Sequence, residues 1–395
     1  MNPFAKHHLL GGSLLVAGMS IGVGMLALPV VTAASGFLPS FAIYLICWFI
    51  MVCFARLILE ACLWMPHDSN MVSISKHLLG TKGALICWCL YLFLFYCLMT
   101  AHIAAGEQSI SQLTYGYLPR TVSTLLYVAL FAPVVYLGTA AASRINGILM
   151  AGLVLTYLTF FFMAISHVDT QLLERHDWSS IWASLPVILT AFGFQNLIPT
   201  LYNYMDRDHK TIRKAIWFGT LIPLVLYVVW ELLILGIVHP EDLHAALTAG
   251  DSAIAPLQAA LQNSTLSLVS EGFAFFAMSA SFVGISIAFF DFWADGLKWK
   301  KKGMKKNWLL LLVLGIPLML VFLDPTIFIS ALRYAGGIGM ILLFGLFPIL
   351  FVWSGRYVYK HSRQFEFVKG GKASLFLLFL FVLFILIIMI FAEAN

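Results

Sequence analysis

The sequence predicts an all-α polytopic membrane protein of eleven transmembrane helices. They are arranged as a five-plus-five inverted repeat with one extra helix, and helices one and six are broken. Three observations predict it. Of the 395 residues, 61% are hydrophobic and only 10% charged, with mean hydropathy +0.94. A soluble domain carries about 25% charged residues, so this chain cannot coat itself for water, and disorder, coiled coil and disulfide scaffold are excluded by the same composition. Apolar runs long enough to cross a bilayer, roughly 20 residues, recur eleven times. Finally, a glycine and proline interruption in the first run recurs in the sixth.

The first five spans are expected near Leu9–Ala34, Leu38–Leu63, Ala84–Gly106, Val122–Leu137 and Ile145–Ile165. Span one is apolar but interrupted at Gly22, Gly24 and Pro29. Span two is continuous, and its Arg56 and Glu60, four apart, are expected to pair along one helix face. Spans two and three hold all six cysteines (Cys47, Cys53, Cys62, Cys87, Cys89, Cys97), which inside a bundle read as packing residues and not as a zinc site. Spans six to eight are expected near Ile181–Leu201, Ile216–Val238 and Leu266–Phe290, and spans nine to eleven near Trp308–Phe322, Ile338–Trp353 and Ser374–Phe391. The repeats would occupy residues 1–167 and 168–355, with 356–395 forming a cytoplasmic loop and helix eleven. The segment Met1–His8 lacks the pattern of a cleaved signal peptide, so span one is expected to be retained.

Orientation follows from Lys and Arg placement. With the amino terminus cytoplasmic, nineteen of the 23 basic residues fall on that side, including Arg207, Lys210, Arg213 and Lys214, the run Lys298–Lys306, and Arg356, Lys360, Arg363, Lys369 and Lys372. Only Arg120, Arg175 and Arg333 fall outside, and Arg56 lies within span two. The loop Val238–Ser264 has Glu241, Asp242 and Asp251 and no basic residue. The pattern predicts a multi-pass membrane protein with its amino terminus inside and its carboxyl terminus outside. The net charge of +5 then belongs to a lipid-facing arrangement; no nucleic-acid partner and no oligomer are implied.

Pro199 follows Pro29 by 170 positions, and that offset lays Gly22–Gly24 over Phe192–Phe194. Two similarly interrupted helices of opposite direction are what an inverted repeat predicts. Glycine and proline both weaken a helix, and proline is comfortable in a first turn. The chain is therefore expected to unwind near Gly22–Gly24 and restart just before Pro29. Unwound backbone at membrane depth is tolerated only against protein or a watery cavity. A restarted half-helix presents its partly positive amino end there, which suits a carboxylate, while freed carbonyls suit an ammonium group or a cation.

At these residues the chain resembles the hydroxy/aromatic amino acid permeases, the bacterial tryptophan and tyrosine permeases. The resemblance is carried by Gly24-Met25-Leu26-Ala27-Leu28-Pro29 and by Phe192-Gly193-Phe194 with Ile198-Pro199. It is carried further by Tyr204-Met205-Asp206-Arg207-Asp208 with Ile212-Arg213-Lys214-Ala215-Ile216, and by Ser281-Phe282-Val283-Gly284 leading to Phe290-Asp291-Phe292 and Ala294-Asp295. That family is similar in fold to the LeuT-type transporters. The resemblance implies symport of an aromatic amino acid, tyrosine above all, with protons; no cofactor is implied. Many relatives have His where this chain has Gln195, and a role for that His does not transfer to a group that cannot titrate.

The backbone at Gly22, Val23, Gly24 and Met25 is expected to receive the substrate carboxylate, and that of Phe192, Gly193 and Phe194 the amino group, glycine allowing close approach. Phe192 and Phe194 would offer rings to the side chain, and Gln195 and Asn196 a partner for a phenolic hydroxyl. Span three adds Tyr96, Thr100 and His102, and span eight Ser279 and Ser281. Buried ionisable groups in spans are functional candidates, which makes His102, Glu231 and Glu271 the proton-relay candidates. Sodium is the competing coupling ion, held by the span-one break with Ser279 or Ser281.

The acidic loop is expected to form short helices at Glu241–Thr248 and Ala255–Gln262, placed like an external lid. A channel would need a ring-forming filter, an intramembrane enzyme a nucleophile and base or an HExxH pair, and an ATP-driven pump a phosphate loop; the sequence has none of these motifs.

Overall fold

Ten helices among the described residues are long and apolar enough to cross a membrane, and a bent pair, Leu9–Ser20 with Val23–Thr32, completes eleven. The computed structural model describes residues 3–66, 69–114, 116–261, 263–361 and 366–394. Those residues contain no strand. Arg363 and Gln262, which entered the sequence reading, lie outside them, as do Met1 and Asn2.

Spans two to five are Phe37–Leu63, Met71–Leu113, Arg120–Leu137 and Thr139–Ala164. Span six lies within Ser180–Tyr204, span seven is His209–Ile237 and span eight Ser264–Gly296. Spans nine, ten and eleven are Gly303–Leu323, Ile327–Val358 and Gly371–Ala394. Span three begins thirteen residues before the expected Ala84. Asn70 and Ser73 cap it reciprocally, and Gly80, at φ 78°, turns a short leading helix into the membrane segment.

The motif Tyr204-Met205-Asp206-Arg207-Asp208 forms the turn between spans six and seven. Asp206 and Arg207 take left-handed backbone, φ 48° and 62°, and the Asp208 carboxylate accepts from the Lys210 and Thr211 N–H groups, capping span seven.

Glu60 and Arg56 do not pair. The Arg356 guanidinium of span ten donates to both Glu60 oxygens, at 2.6 and 2.7 Å, and the Phe367 N–H adds a third bond at 3.2 Å. Arg56 instead lies 5.0 Å over the Trp217 ring. One turn of helix separates the two side chains, but Glu60 faces the core while Arg56 faces span seven, where an aromatic ring receives the guanidinium.

Helices Pro240–Ala249 and Ile254–Leu261 form in the acidic loop. Ala253 N–H donates to the Leu26 carbonyl at 3.1 Å. The Gln108 amide donates to the Gly250 carbonyl and accepts from the Ser252 N–H. The loop is thereby fastened over the second half of span one and over span three.

Candidate functional site

Span one runs as helix to Ser20, leaves helical geometry at Ile21 and Gly22, and resumes at Val23 with a bend of 53°. The restart thus comes six residues before Pro29, earlier than the expected position just ahead of that proline, which lies inside the second half-helix. The extended backbone of Gly22 (φ −174°) ends the first helix. In a buried apolar setting, hydrogen bonding within the helix resumes at once because no water satisfies the backbone. Pro29 then only deprives the Met25 carbonyl of its usual donor four residues on. Span six leaves helical geometry at Phe192–Phe194, turns once through Gln195–Leu197 and resumes as Ile198–Tyr204, with Pro199 in the first turn. The two breaks begin 171 residues apart, after Ser20 and after Ala191, within one residue of the expected offset, and the span-six break is the longer.

The breaks are held against each other. A Cβ on Gly24 would lie 2.9 Å from the Ala191 Cα, so only glycine lets the second half of span one meet the first half of span six. The Tyr227 hydroxyl of span seven lies 2.5 Å from the Ser20 carbonyl and 2.8 Å from the Ala191 carbonyl. These are the last residues of the two half-helices that end at the breaks, so one hydroxyl serves two carbonyls that the interruptions leave without helical partners.

A cavity opens beside the breaks. Of the predicted residues, Gly22, Val23, Gly24, Gly193 and Asn196 line it, joined by His102 and Ser281. His102 Nδ1 lies 2.7 Å from the Leu98 carbonyl and Nε2 lies 2.9 Å from Ser281 Oγ. A carbonyl only accepts, so in the neutral ring Nδ1 carries the hydrogen and Nε2 accepts from the serine. At the start of the second half-helix, Met25 N–H turns back to the Gly22 carbonyl at 3.1 Å, and the Val23 and Gly24 N–H groups are the donors that helix geometry leaves unpaired.

The other predicted residues lie elsewhere. Met25 is fully buried and off the cavity wall. Phe192 packs edge-on against Tyr44 and Tyr227, and Phe194 is buried away from the cavity. Gln195 turns back, accepting from the Phe194 N–H at 2.9 Å and donating to the Met51 carbonyl at 3.2 Å, and so ties the broken span to span two. Tyr96 packs on Phe289 and donates to the Leu312 carbonyl. Thr100 bonds its own helix at Tyr96, the common fate of a hydroxyl in a span. Ser279 lies against Tyr127. Glu231 is buried between Thr32 and Tyr44, and Glu271 faces Gln258 of the helix Ile254–Leu261.

Sequence reasoning missed the aromatic and apolar wall. Span three contributes Tyr91, Leu94, Phe95 and Leu98 in addition to His102, a spacing of three and four that marks one helix face. Counting back from His102 would have found them, whereas Tyr96 and Thr100 lie on another face. Span ten contributes Met340 and Phe344, and nothing in their local sequence distinguishes them from other apolar residues of that helix.

A second cavity shares Met19, Tyr91, Phe95 and Asn196 with the first and continues to Ser69, Asn70, Asn203 and Tyr204. The site therefore opens toward the face bearing the loops after spans two and six. The fastened acidic loop covers the opposite side.

The sequence matches the tryptophan/tyrosine permease family over residues 5–390. It is 31% identical to a tryptophan-specific transport protein of Haemophilus influenzae, over 83% of each chain. It is 30% identical to a low affinity tryptophan permease of Escherichia coli, over 84% of this chain and 83% of that one. A tyrosine-specific transport system of Haemophilus influenzae is 27% identical over 93% of each chain. In fold the chain is similar to a manganese transporter of Eremococcus coleocola, with a TM-score of 0.61 at 14% identity, covering 98% of this chain and 87% of that one.

Proposed function

We propose that this chain, which belongs to the tryptophan/tyrosine permease family, imports L-tyrosine across the bacterial inner membrane in symport with protons, by alternating access. At the coarser level it is an aromatic amino acid permease, a multi-pass membrane transport protein and not an enzyme. The observation that carries the finer reading is the meeting of two helix breaks at one aromatic-walled cavity. Val23 and Gly24, which begin the second half-helix, line that cavity, and their N–H groups are the carboxylate donors in this reading. The span-six backbone at Gly193 offers the partner for the amino group. Tyr91, Phe95 and Phe344 supply rings for an aromatic side chain, and Asn196, Ser281 and His102 supply polar contacts in the same wall.

In this reading residues 1–167 and 168–355 are the two inverted repeats and 356–395 the appended loop and helix. The amino terminus is cytoplasmic and the carboxyl terminus periplasmic, so the open face is cytoplasmic and the acidic lid periplasmic. Proton coupling is favoured over sodium because the freed carbonyls of Ser20 and Ala191 already converge on the Tyr227 hydroxyl, which leaves them poorly placed to cage a cation.

Tryptophan is the second reading, favoured by the higher identity to tryptophan transporters (31% and 30%) than to the tyrosine system (27%). Uptake of labelled tyrosine, tryptophan, phenylalanine and serine into proteoliposomes, under imposed proton or sodium gradients, tests both substrate and ion. Tyrosine accumulation that follows the proton gradient is expected. Tryptophan preferred over tyrosine selects the second reading, and accumulation with sodium alone refutes proton symport.

A further inference from the structure

Outside the cavity, the bundle buries a second polar cluster, where the outer half of span one meets spans two and seven. Glu231, Thr32 and Tyr44 are all completely buried. The Tyr44 hydroxyl donates to Glu231 Oε2 at 2.8 Å, and the Thr32 hydroxyl lies in hydrogen-bond contact with Glu231 Oε1. The same Thr32 oxygen lies 2.7 Å from the Leu28 carbonyl. Ser40 also approaches the carboxyl while its hydroxyl donates to the Gly36 carbonyl at 2.7 Å.

The hydrogens can be counted. Thr32 has one, and the Leu28 carbonyl can only accept it. If Glu231 were ionised, Thr32 would have to split that one hydrogen between the Leu28 carbonyl and Oε1, leaving each acceptor, one of them charged, only partly served. A protonated Glu231 removes the conflict: its own O–H donates to Thr32, Thr32 donates to Leu28, and Tyr44 donates to the remaining carboxyl oxygen. Every hydrogen is then used once.

The surroundings agree. Span one's outer half contributes no ionisable side chain here. Tyr44 comes from span two, and Arg56 of that span lies on Trp217. Tyr227, one turn back on span seven, contacts Ser20 and Ala191. From the segment after span five, the Asp169 carboxylate accepts from the Gln171 N–H and the Arg175 guanidinium donates to the Ala33 carbonyl at 3.2 Å. Tyr202 in span six lies under Arg207, and the lid helix Ile254–Leu261 carries no titratable residue. Among the described residues no cation contacts the Glu231 carboxyl, and a buried carboxylate without one is costly.

We propose that Glu231 takes up a proton as the outer half of span one closes and holds it in the conformation described above, and that this proton is the one whose binding is coupled to transport. The coupling half of the inference rests on the proton-symport reading above; the protonation half does not. When the outer half-helix moves away, Thr32 withdraws and the ionised Glu231 meets water of the outer side. On closure one proton passes from a hydronium ion of that water to Oε1, leaving water and forming the O–H bond. Symport is completed when the O–H bond breaks and the proton leaves to water on the opposite side before the outer half reopens, and nothing is oxidised or reduced. Proton binding and closure of the outer side are then linked, through a helix that also carries Tyr227 and so reaches both breaks.

Two measurements test this. Infrared spectroscopy of the purified full-length protein at neutral pH is expected to show a protonated-carboxyl stretch that is absent in Glu231→Gln and shifted in Tyr44→Phe. A wild-type spectrum from which Glu231→Gln removes nothing overturns the proposal, whether or not transport is observed. In proteoliposomes, Glu231→Gln is expected to lose at least about tenfold of its proton-driven accumulation and the pH dependence of uptake. Tyr44→Phe keeps the carboxyl and is expected to retain accumulation with a shifted pH profile. Proton-driven accumulation undiminished in Glu231→Gln overturns the coupling role. Absence of aromatic amino acid uptake by the wild type, with the carboxyl band present, supports the protonation but removes the transport reading and the coupling role with it.

Discussion

The Tyr227 hydroxyl stands 2.5 Å from the carbonyl of Ser20, which it shares its single hydrogen to satisfy with Ala191 at 2.8 Å. A residue of an unbroken helix thus supports both broken ones. Tyr227→Phe keeps the ring and its packing on Phe192 but strips the donor from two buried carbonyls. An unmet buried acceptor costs about 1–3 kcal/mol. Uptake is therefore expected to fall about tenfold or more while the protein still inserts and purifies. Wild-type uptake by this variant would show that the breaks are held without it.

Gly24 and Gly193 both lack room for a side chain, but what surrounds them differs. A Cβ on Gly24 meets Ala191 backbone at 2.9 Å, whereas one on Gly193 meets the Met340 Cε at 2.3 Å, the tip of a flexible chain. Overpacking against an immobile wall costs about 1–3 kcal/mol. Gly24→Ala is accordingly expected to cut uptake about tenfold and Gly193→Ala by less than about threefold. Measuring initial rates at matched membrane abundance checks the contrast, and equal losses would refute it.

Gln195 and Asn196 are neighbours that now have separate expectations. The amide of Gln195 is engaged by Met51 and Phe194, while Asn196 lines the cavity. A polar partner for a substrate hydroxyl discriminates far better than an apolar wall. Asn196→Ala is expected to weaken tyrosine relative to phenylalanine in competition uptake. Gln195→Ala is expected to weaken both equally, by loosening the link to span two.

The ion pair of Glu60 and Arg356 is almost fully buried, with side-chain exposures of 2% and 0%. Removing one partner from such a pair costs about 3–5 kcal/mol, whereas an apolar replacement of both is often neutral. Arg356→Met should lower the thermal midpoint in detergent sharply. Glu60→Leu combined with Arg356→Met should recover most of the loss, and a double variant no better than the single one would argue against a pairwise interaction.

At the start of span seven, the Thr211 hydroxyl, with the N–H groups of Thr211 and Lys210, holds the Asp208 carboxyl below its ordinary value. A depressed carboxylate stabilises the fold above its unfolded-state pKa and loses that contribution as pH falls through the folded-state value. Asp208→Ala should cost about 1 kcal/mol at neutral pH. The gap in thermal midpoint between variant and wild type should narrow on acidification; a gap unchanged with pH would mean the carboxylate is not the cap.

Much of the fold was legible because it follows from local rules. Hydrocarbon excludes unpaired backbone, so apolar runs become helices, and their number follows from their length. The break at Gly22 and the two helices of the acidic loop were equally readable from glycine, proline and periodicity. The proline signal misled at Pro29, because a proline within a helix removes one bond and does not by itself set where the helix begins.

Local rules suffice for the set of helices, the two interruptions and the polar residues available near them. Which side chains face one another was decided only by tertiary structure. Glu60 has Arg56 one turn away yet pairs with Arg356, nearly 300 positions later. Tyr227 carries no local mark of its contact with both breaks, and Met340 and Phe344 reach the cavity because of how span ten packs. Helix periodicity assigns residues to faces, but the rotation of each helix about its axis is set by close packing among all of them at once. That rotation, fixed by no single segment, selects the residues that meet at the cavity and at Glu231.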